Sequence, residues 1–328
     1  MESTPSTFPL TVAGSSNREF GVLMYHITRI DKSAATSIED YVPHSQGFTR
    51  QLLIGRAVGS PHTMLTANWI APDGFIDSVV HSYEFSLYIL EGSASVFMLG
   101  ERIPLKKDEC LVIPVGVSYA IKASSEGVHW LQVNAPGEIE RPRRKDTYFT
   151  RENKMNVDSA DAREFDLRDP RNQHAFRFDP ASMNLNNLAV GAKKDAPAVS
   201  ASMATALLAY SGIGVRMLID QRVGAKLHTM FIVDYQPSAI AHPHDHPFEE
   251  TYTFTHGQVH GLIEGKEYVF GPGDVLWCAA GSDHGFEHRG EGVVRWIETQ
   301  APQPPSQHSY RFSRDWEYLE QKLAVEEG

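Results

Sequence analysis

The stretch HDHPFEETYTFTHG, residues 244–257, decides the fold, because it places His244, His246 and Glu250 at positions i, i+2 and i+6. On an extended strand, residues i and i+2 point to the same face, so His244 and His246 project together into one space. Glu250 keeps the same parity and can return to that space after the bend at Pro247. The stretch therefore predicts a metal site built on β-structure.

A fourth ligand must come from a neighbouring strand. His284 is the candidate, because it follows the apolar run from Asp274 to Ala280. Three histidines and one carboxylate suit Fe(II), Mn(II), Ni(II), Co(II) or Zn(II), and the ligand types alone do not choose among them. Four protein ligands leave one or two positions of an octahedral ion open for water, O2 or substrate. The predicted site is therefore of the catalytic type.

The sequence also contains an internal duplication. The stretch from Arg50 to Met64 aligns with the stretch from Arg216 to Met230 at an offset of 166 residues. Further along, HSYEFSLYILEG from His81 aligns with HPFEETYTFTHG from His246 at an offset of 165. Two copies of one domain are therefore predicted.

The first copy has lost the metal ligands, since its counterparts of the four ligand positions are Val79, His81, Phe85 and Tyr119. One histidine cannot form a competent site, so the first copy is predicted to be free of metal. His81 is predicted to be buried and hydrogen-bonded. Residues that both copies share are interpreted as scaffold, among them the pairs Arg50/Arg216 and His62/His228.

Within each copy, short runs of alternating apolar residues are separated by Gly, Pro and Asp turns, a pattern that is typical of strands. The clearest runs are Met230–Val233, Glu250–Phe254, Val259–Ile263 and Val275–Cys278. Neither copy has sustained helical periodicity, so a sandwich or barrel is predicted. A terminal amphipathic helix is predicted from Ser313, which would be its N-cap.

The chain resembles the cupin superfamily at its two motifs, G-x5-H-x-H-x3-E-x6-G and G-x5-P-x-G-x2-H-x3-N. The first motif is matched by His244, His246, Glu250 and Gly257, although Ser238 stands where the leading glycine is usual. The resemblance implies a small jelly-roll barrel with the metal in its interior.

The second motif is matched by Gly273, Gly281 and His284. Ala279 stands where proline is usual, and His288 stands where asparagine is usual. These departures concern turn geometry and leave the ligand chemistry intact. With the duplication, the resemblance implies two tandem barrels, of which the second holds the metal.

The predicted fold class is all-β, with two tandem cupin barrels, a long connector and a short C-terminal helix. The predicted segments are an N-terminal tail and strap (1–43), a barrel without metal ligands (44–136), a connector (137–204), a metal-binding barrel (205–302) and a C-terminal helix (303–328).

Strand parity also predicts the walls of the site. Tyr252 shares the inward face with Glu250, so its hydroxyl is the candidate for orienting a substrate or a ligand. Gly261 is expected to leave room for the substrate. The predicted substrate pocket consists of Met230, Phe254, Gly261, Trp277 and His288.

The composition excludes several classes of protein. Of the 328 residues, 41% are hydrophobic and 22% are charged, which is ordinary for a globular protein. The net charge is −11 without a long basic cluster, so nucleic acid is not an expected partner. Cys110 and Cys278 are too few for a disulfide framework. No membrane span and no secretory signal are expected, which predicts a cytoplasmic protein. A homodimer or a higher homo-oligomer is also expected.

Three functional hypotheses follow. The first is a non-haem Fe(II) dioxygenase for a small oxygen-rich molecule, similar in its two-barrel layout to gentisate-type dioxygenases, which usually carry the metal in the first barrel. The second is a Mn(II)-dependent aminohydrolase similar to ureidoglycine aminohydrolase, which holds metal in the second barrel but with other ligand residues. The third is a non-catalytic metabolite-binding cupin.

The ligand set favours the dioxygenase, so Fe(II) is the first choice of metal and Mn(II) the second, with Zn(II) and Ni(II) left open.

Overall fold

The computed structural model describes residues 23–139, 145–150, 174–183, 212–303 and 311–312. Strands dominate these ranges, which confirms the predicted all-β class. The helix predicted from Ser313 lies outside the described residues. Among the described residues, no helix is long and apolar enough to cross a membrane. The helical segments in these ranges are short 3-10 helices, at Lys32–Ala34, Glu39–His44, Arg56–Val58, Pro180–Met183 and Gln221–Val223.

The first barrel is one continuous sheet. Its strands are β2 (Ser45–Ile54), β3 (Met64–His81), β4 (Glu84–Met98), β5 (Glu101–Lys106), β6 (Glu109–Ile113), β7 (Tyr119–Ala135), β8 (Thr147–Phe149) and β9 (Ala175–Arg177). Hydrogen bonds give the order β2-β3-β7-β4-β6-β9, with β5 beside β4 and β8 beside β3. Register shifts in the long strands β3, β4 and β7 mark the bends that carry them around the barrel.

The second barrel consists of two sheets. Its strands are β1 (Tyr25–Arg29), β10 (Ile213–Ile219), β11 (Thr229–Tyr235), β12 (Ile240–Asp245), β13 (Glu249–His256), β14 (Val259–Ile263), β15 (Lys266–Phe270), β16 (Asp274–Cys278), β17 (His284–Glu287), β18 (Val294–Ala301) and β19 (Arg311–Phe312). One sheet has the order β1-β16-β13-β18-β11-β10, and the other has the order β15-β14-β17-β12-β19.

The strand orders of the two barrels correspond, which confirms the tandem duplication. The sheet β2-β3-β7-β4-β6 of the first barrel has the same order as β10-β11-β18-β13-β16 of the second. The pair β11 and β12 corresponds to the single long strand β3, because the second barrel interrupts the strands where the first barrel bends them. All four runs that the sequence predicts as strands lie within β11, β13, β14 and β16.

In each barrel, one edge strand comes from the chain segment that precedes the other barrel. Strand β1 precedes the first barrel but pairs with β16 of the second, with Tyr25 opposite Cys278. Strand β9 precedes the second barrel but pairs with β6 of the first, with Leu111 opposite Ala175. The two barrels therefore exchange strands reciprocally. The predicted segment limits assign both strands to linkers, and those limits remain a prediction.

The described residues form three apolar cores. One fills the first barrel and contains Phe85 and Trp130. Another fills the second barrel and contains Phe254 and Trp296. The third contains residues of both barrels, such as Leu65, Met230 and Trp277, and lies between them. Burial of this shared core joins the barrels into one unit.

Candidate metal centre

Three histidines of the second barrel converge at one point. His244 lies in β12 directly opposite His284 of the antiparallel strand β17, and His246 follows in the bend before β13. One ring nitrogen of each histidine lies within 4.8 Å of the others. All three side chains are buried, so the structure brings together the histidines that the sequence predicts as ligands.

Backbone carbonyls fix the tautomers of two of these histidines. The Nδ1 atom of His244 lies 2.6 Å from the carbonyl oxygen of His242, and Nδ1 of His284 lies 2.9 Å from that of Ser282. A carbonyl oxygen only accepts hydrogen bonds, so Nδ1 carries the proton in each ring. Nε2 is then the nitrogen that could coordinate an ion, which is the arrangement found in histidines that bind metals.

Glu250 of β13 stands beside two of the histidines. Its carboxylate oxygens lie 3.3 Å from Nε2 of His246 and 3.1 Å from Nε2 of His284. Two further contacts hold the carboxylate. The Tyr252 hydroxyl donates to Oε2 at 2.5 Å, and Nε2 of Gln300 donates to Oε1 at 2.8 Å. Among the described residues, the three histidines form the group of mutually close donor atoms, and Glu250 adjoins that group.

Burial and neighbouring charges set the protonation of the site. Burial lowers the pKa of His244 to about 4, and the charge of His284 acts in the same direction. Burial acts to raise the pKa of Glu250, but His246 and His284 outweigh it and hold the pKa below its usual value. His244 is therefore neutral and Glu250 is anionic at neutral pH. These are the forms that coordinate a metal. Burial acts to lower the pKa of His284, but the contact with Glu250 outweighs it and raises that pKa, so binding of an ion would displace a proton from this ring.

These observations fit a divalent transition metal. Nε2 atoms with fixed tautomers and an ionised carboxylate form a mixed nitrogen and oxygen donor set of the kind that Fe(II), Mn(II) and Zn(II) take. A buried group of three imidazoles beside a carboxylate has no apolar packing role that would explain it. His244, His246, Glu250 and His284 are the residues that would hold the ion.

Two polar residues near Glu250 were missed by sequence reasoning. Glu298 and Gln300 lie on β18, directly opposite Tyr252 and Glu250 of β13. Both are buried, and Nε1 of Trp296 donates to Glu298 at 2.9 Å. Burial, together with the charge of Glu250, raises the pKa of Glu298 well above its usual value. Trp296, Glu298 and Gln300 alternate along the chain with Ile297 and Thr299, so they share one face of a strand. This alternation is the sequence signal that could have indicated Glu298 and Gln300.

Two predicted pocket residues lie elsewhere, and this corrects their assignment. Met230 and Trp277 belong to the core between the barrels. On β16, Leu276 and Cys278 belong to the interior core, so by parity Trp277 faces the other way. The same parity separates Met230 from Phe231 of β11. The sequence does not show which parity faces the barrel interior on strands that carry no ligand.

The remaining pocket residues lie in or at the end of the second barrel. A Cβ atom at Gly261 would lie 2.6 Å from the Phe270 ring, so this position makes room for an aromatic ring and not for the predicted substrate. Phe254 stacks on Phe270 with a centroid distance of 4.8 Å. Nδ1 of His288 lies 2.9 Å from the carbonyl oxygen of Gln236. Because a carbonyl oxygen only accepts, Nδ1 donates this hydrogen bond. Phe254 and Gly261 therefore shape the filled part of the interior.

The equivalent positions of the first barrel also cluster, but without a donor set. His81 is buried, with Nε2 2.8 Å from the Tyr119 hydroxyl and Nδ1 2.9 Å from Oγ1 of Thr147. Phe85 occupies the place of Glu250 and contacts both rings. Aromatic side chains thus fill the space where the second barrel has its histidines, as the sequence predicts for His81.

Comparisons with known proteins agree with this geometry. Residues 231–299 match the family model of the cupin domain. No curated protein matches the chain. Among solved structures, a deletion variant of the oxalate decarboxylase OxdC of Bacillus subtilis is 13% identical, with a TM-score of 0.58 over 88% of this chain and 80% of that chain. Oxalate decarboxylase of Lactobacillus farciminis, solved with formate, is 16% identical, with a TM-score of 0.58 over 88% and 89%.

A third structure belongs to a different enzyme class. A variant of salicylate 1,2-dioxygenase from Pseudoaminobacter salicylatoxidans, in complex with gentisate, is 11% identical, with a TM-score of 0.62 over 84% of this chain and 81% of that chain. At such identities these likenesses establish the fold alone. Residues 231–299 therefore match a cupin domain, and the chain shares the two-barrel fold of these structures.

Proposed function

We propose that this two-barrel cupin is a metal-dependent enzyme for a small oxygen-rich organic molecule, with non-haem Fe(II) dioxygenase as the leading activity. The observation that carries this proposal is the convergence of three histidines, with Glu250 held to one side by Tyr252 and Gln300. Three nitrogen ligands can leave three positions open on an octahedral ion. That number is enough for a substrate with two oxygen donors and for a second reactant.

The residues of the chain have separate roles in this proposal. His244, His246 and His284 hold the ion, and Glu250 balances its charge or completes its coordination. When bound, Fe(II) supplies Lewis acidity and one-electron exchange with O2. Tyr252 is the group that can hold or move a proton at the site, because its hydroxyl lies between Glu250 and His284.

The packing beneath the site limits the size of the substrate. The rings of Phe254, Phe270, Phe286 and Trp296 contact one another in the interior and leave that end of the barrel filled. The proposed substrate position is therefore on the histidine side of Tyr252. A compact carboxylic acid or diketone that offers two adjacent oxygens is the class that suits this space.

A second candidate function is a Mn(II)-dependent reaction without O2, such as a decarboxylation or the aminohydrolase reaction. It is favoured by the hydroxyl and carboxyl groups near the site, which can exchange protons. The Tyr252 hydroxyl bonds to Glu250, and Glu298 lies opposite Tyr252 on β18. Such a group can serve proton transfer without any change in oxidation state. Two of the solved structures that share the fold are oxalate decarboxylases.

Metal analysis followed by assays of O2 uptake separates the two candidates. The protein would be purified without added metal, analysed by mass spectrometry of its metal content, and reconstituted with Fe(II) or Mn(II) under anaerobic conditions. An oxygen electrode would then measure O2 uptake with gentisate, salicylate, catechol or a small diketone as the substrate. Parallel assays would measure formate from oxalate and ammonia from ureido compounds.

Uptake of O2 that depends on both Fe(II) and substrate is the result expected for the dioxygenase. Formate or ammonia release with Mn(II), and no O2 uptake with any substrate, would overturn the leading proposal in favour of the second. His81→Ala is a matched control, because it removes the equivalent of His246 from the barrel without ligands. It should retain the wild-type response.

A further inference from the structure

Two buried glutamates join the barrels, one from each. Glu84 and Glu249 occupy the same place in the repeat, at an offset of 165 residues, and each directly precedes a ligand position, Phe85 or Glu250. Both side chains are buried, at 1% and 2% exposure. Neighbouring residues of a strand point to opposite faces, so each glutamate leaves its own barrel and reaches the other.

Glu84 of the first barrel is held by the second. Its carboxylate accepts hydrogen bonds from the backbone N–H groups of Lys226 and Leu227, at 2.8 and 2.9 Å. Nδ1 of His228 lies 2.9 Å from the same carboxylate, and Nε2 of His228 lies 2.6 Å from the hydroxyl of Ser86. The His228 side chain, which the sequence places among the scaffold residues, therefore belongs to the contact between the barrels.

Glu249 of the second barrel makes the reciprocal contact. The Ser60 hydroxyl lies 2.5 Å from Oε2 and 2.7 Å from the carbonyl oxygen of Thr63, and the carboxylate is the closer and charged acceptor for its proton. The N–H group of His62 lies 3.3 Å from Oε1. Nε1 of Trp277 adds a longer contact of 3.4 Å. Positions 60–62 correspond to positions 226–228 at the offset of 166 residues, so the two contacts are related by the internal duplication.

The two contacts differ in strength. Glu84 has two short backbone hydrogen bonds and a histidine, whereas the contacts of Glu249 from His62 and Trp277 are long. Ser60 makes the shortest contact to Glu249 and is itself fully buried. A buried carboxylate that loses its best donor must move toward another partner. The position of Glu249 therefore depends mainly on Ser60.

We propose that Ser60 is a positioning residue for the metal centre, through which the barrel without ligands acts on the barrel that has them. Ser60 fixes the Glu249 carboxylate on one side of β13. Glu249 and Glu250 share a peptide unit, so this contact also fixes the direction in which Glu250 leaves the other side. The inference rests on the proposed metal site and adds a role for the first barrel.

The test compares Ser60→Ala with Ser86→Ala, which removes a buried hydroxyl from the other contact between the barrels, where it bonds to His228. Binding of Co(II) to metal-depleted protein would be titrated by its visible absorption, which reports both affinity and coordination. Ser60→Ala is expected to weaken Co(II) binding about tenfold, the lower end of the effect of removing groups that orient metal ligands, and to change the spectrum. Ser86→Ala is expected to keep the wild-type affinity and spectrum.

Thermal unfolding of the metal-depleted variants shows whether stability explains the difference. Both variants are expected to lose similar stability, because each removes one buried hydroxyl from the same interface. If Ser60→Ala does not fold, Trp277→Phe removes another donor from Glu249 and should weaken Co(II) binding in the same direction.

Wild-type affinity in Ser60→Ala, or in Trp277→Phe where that variant replaces it, would overturn the inference while leaving the metal centre intact. An equal loss of affinity in Ser86→Ala would also overturn it, because the effect would then belong to the interface in general. A wild-type protein that takes up no Co(II) would overturn the metal centre itself, and the inference with it.

Discussion

Two of the three histidines that could bind metal are oriented by a hydrogen bond on the far side of the ring. The carbonyl groups of His242 and Ser282 hold Nδ1 of His244 and His284, so the directions of both rings are set before any ion arrives. Preorganised ligands lose little freedom when they bind, which favours affinity. In the first barrel, the hydroxyls of Tyr119 and Thr147 take up both nitrogens of His81 instead. The same residue type thus becomes a ligand or a structural residue through its second contact.

His81 should make the stability of the protein depend on pH. Burial, together with the charge of Arg50, lowers the pKa of His81 to about 3, whereas an unperturbed histidine titrates near pH 6.5. Between these values the unfolded chain binds a proton that the folded chain does not. The free energy of unfolding should therefore fall as the pH drops from about 6.5 toward 3, by up to about 1.4 kcal/mol per pH unit.

His81→Gln removes the imidazole that takes up this proton in the unfolded chain. The free energy of unfolding should then depend less on pH, as measured by urea unfolding of metal-depleted protein at several pH values. The exposed His256→Gln is the control and should follow the wild type. An unchanged slope in His81→Gln would mean that His81 is not held neutral by burial.

The ligand residues could be predicted from the sequence because they lie within one local motif and one repeat. His244, His246 and Glu250 are close along the chain, and parity alone aims them at one space. Glu298 and Gln300 could not be placed in the same way, since their position beside Glu250 depends on which strand pairs with β13. That pairing joins residues about 50 positions apart and is decided by packing of the whole barrel.

The turn after β13 shows how strongly one element depends on a glycine. Gly257 has a φ of +70°, and a Cβ atom there would lie 2.6 Å from the carbonyl oxygen of Val293. Its counterpart in the first barrel, Gly92, has the same φ, and a Cβ atom there would lie 2.1 Å from the carbonyl oxygen of Gly127. Both glycines let two backbone segments approach closely, Gly257 after β13 and Gly92 at a register shift within β4. The motif glycine therefore serves the turn that follows the ligand strand.

Gly257→Ala should destabilise the protein by about 1–3 kcal/mol, because it adds both left-handed strain and a backbone clash. Denaturant unfolding would measure the change. Gly265→Ala is a matched control, since Gly265 has a φ of +72° but nothing lies within 4 Å of an added Cβ. It should cost less than Gly257→Ala. An equal cost in the two variants would contradict the role assigned to the close backbone approach.

Strand parity predicted correctly which side chains face the barrel interior on the strand where a ligand residue fixes the inward face. It gave the wrong face on strands without a ligand. On β13 the ligand Glu250 fixes the parity, and Tyr252 and Phe254 follow it into the interior core. Met230 and Trp277 lie on strands without a ligand, and both sides of those strands are apolar because the second side meets the other barrel. An apolar run that is buried on both faces carries no sign of which face is interior.

At the scale of the whole molecule, the two barrels are interdependent. Strand β1 completes the second barrel, β9 completes the first, and Glu84 and Glu249 each bond to the opposite barrel. The tandem barrels themselves could be predicted, because the duplication is visible at a fixed offset. The exchange of strands could not, since β1 and β9 are too short to show where they pair.

Deletion of residues 1–29 should expose the edge of the second barrel. Strand β16 would lose its partner β1, so its backbone amides at 274–278 should exchange hydrogen faster in a mass-spectrometric measurement. Amides of β6 at 109–113 are an internal control, because their partner β9 is retained. Unchanged protection of β16 would contradict the pairing of β1 with the second barrel.

The most direct test of the central claim is the metal content of the wild type and of His284→Ala, with His81→Ala as the variant of the other barrel. The wild type and His81→Ala are expected to bind about one divalent ion per chain, because within the described parts of the chain the donor set is found in the second barrel. His284→Ala should bind almost none while remaining folded. Full occupancy in His284→Ala, or loss of the ion in His81→Ala, would contradict a metal centre formed by His244, His246, Glu250 and His284.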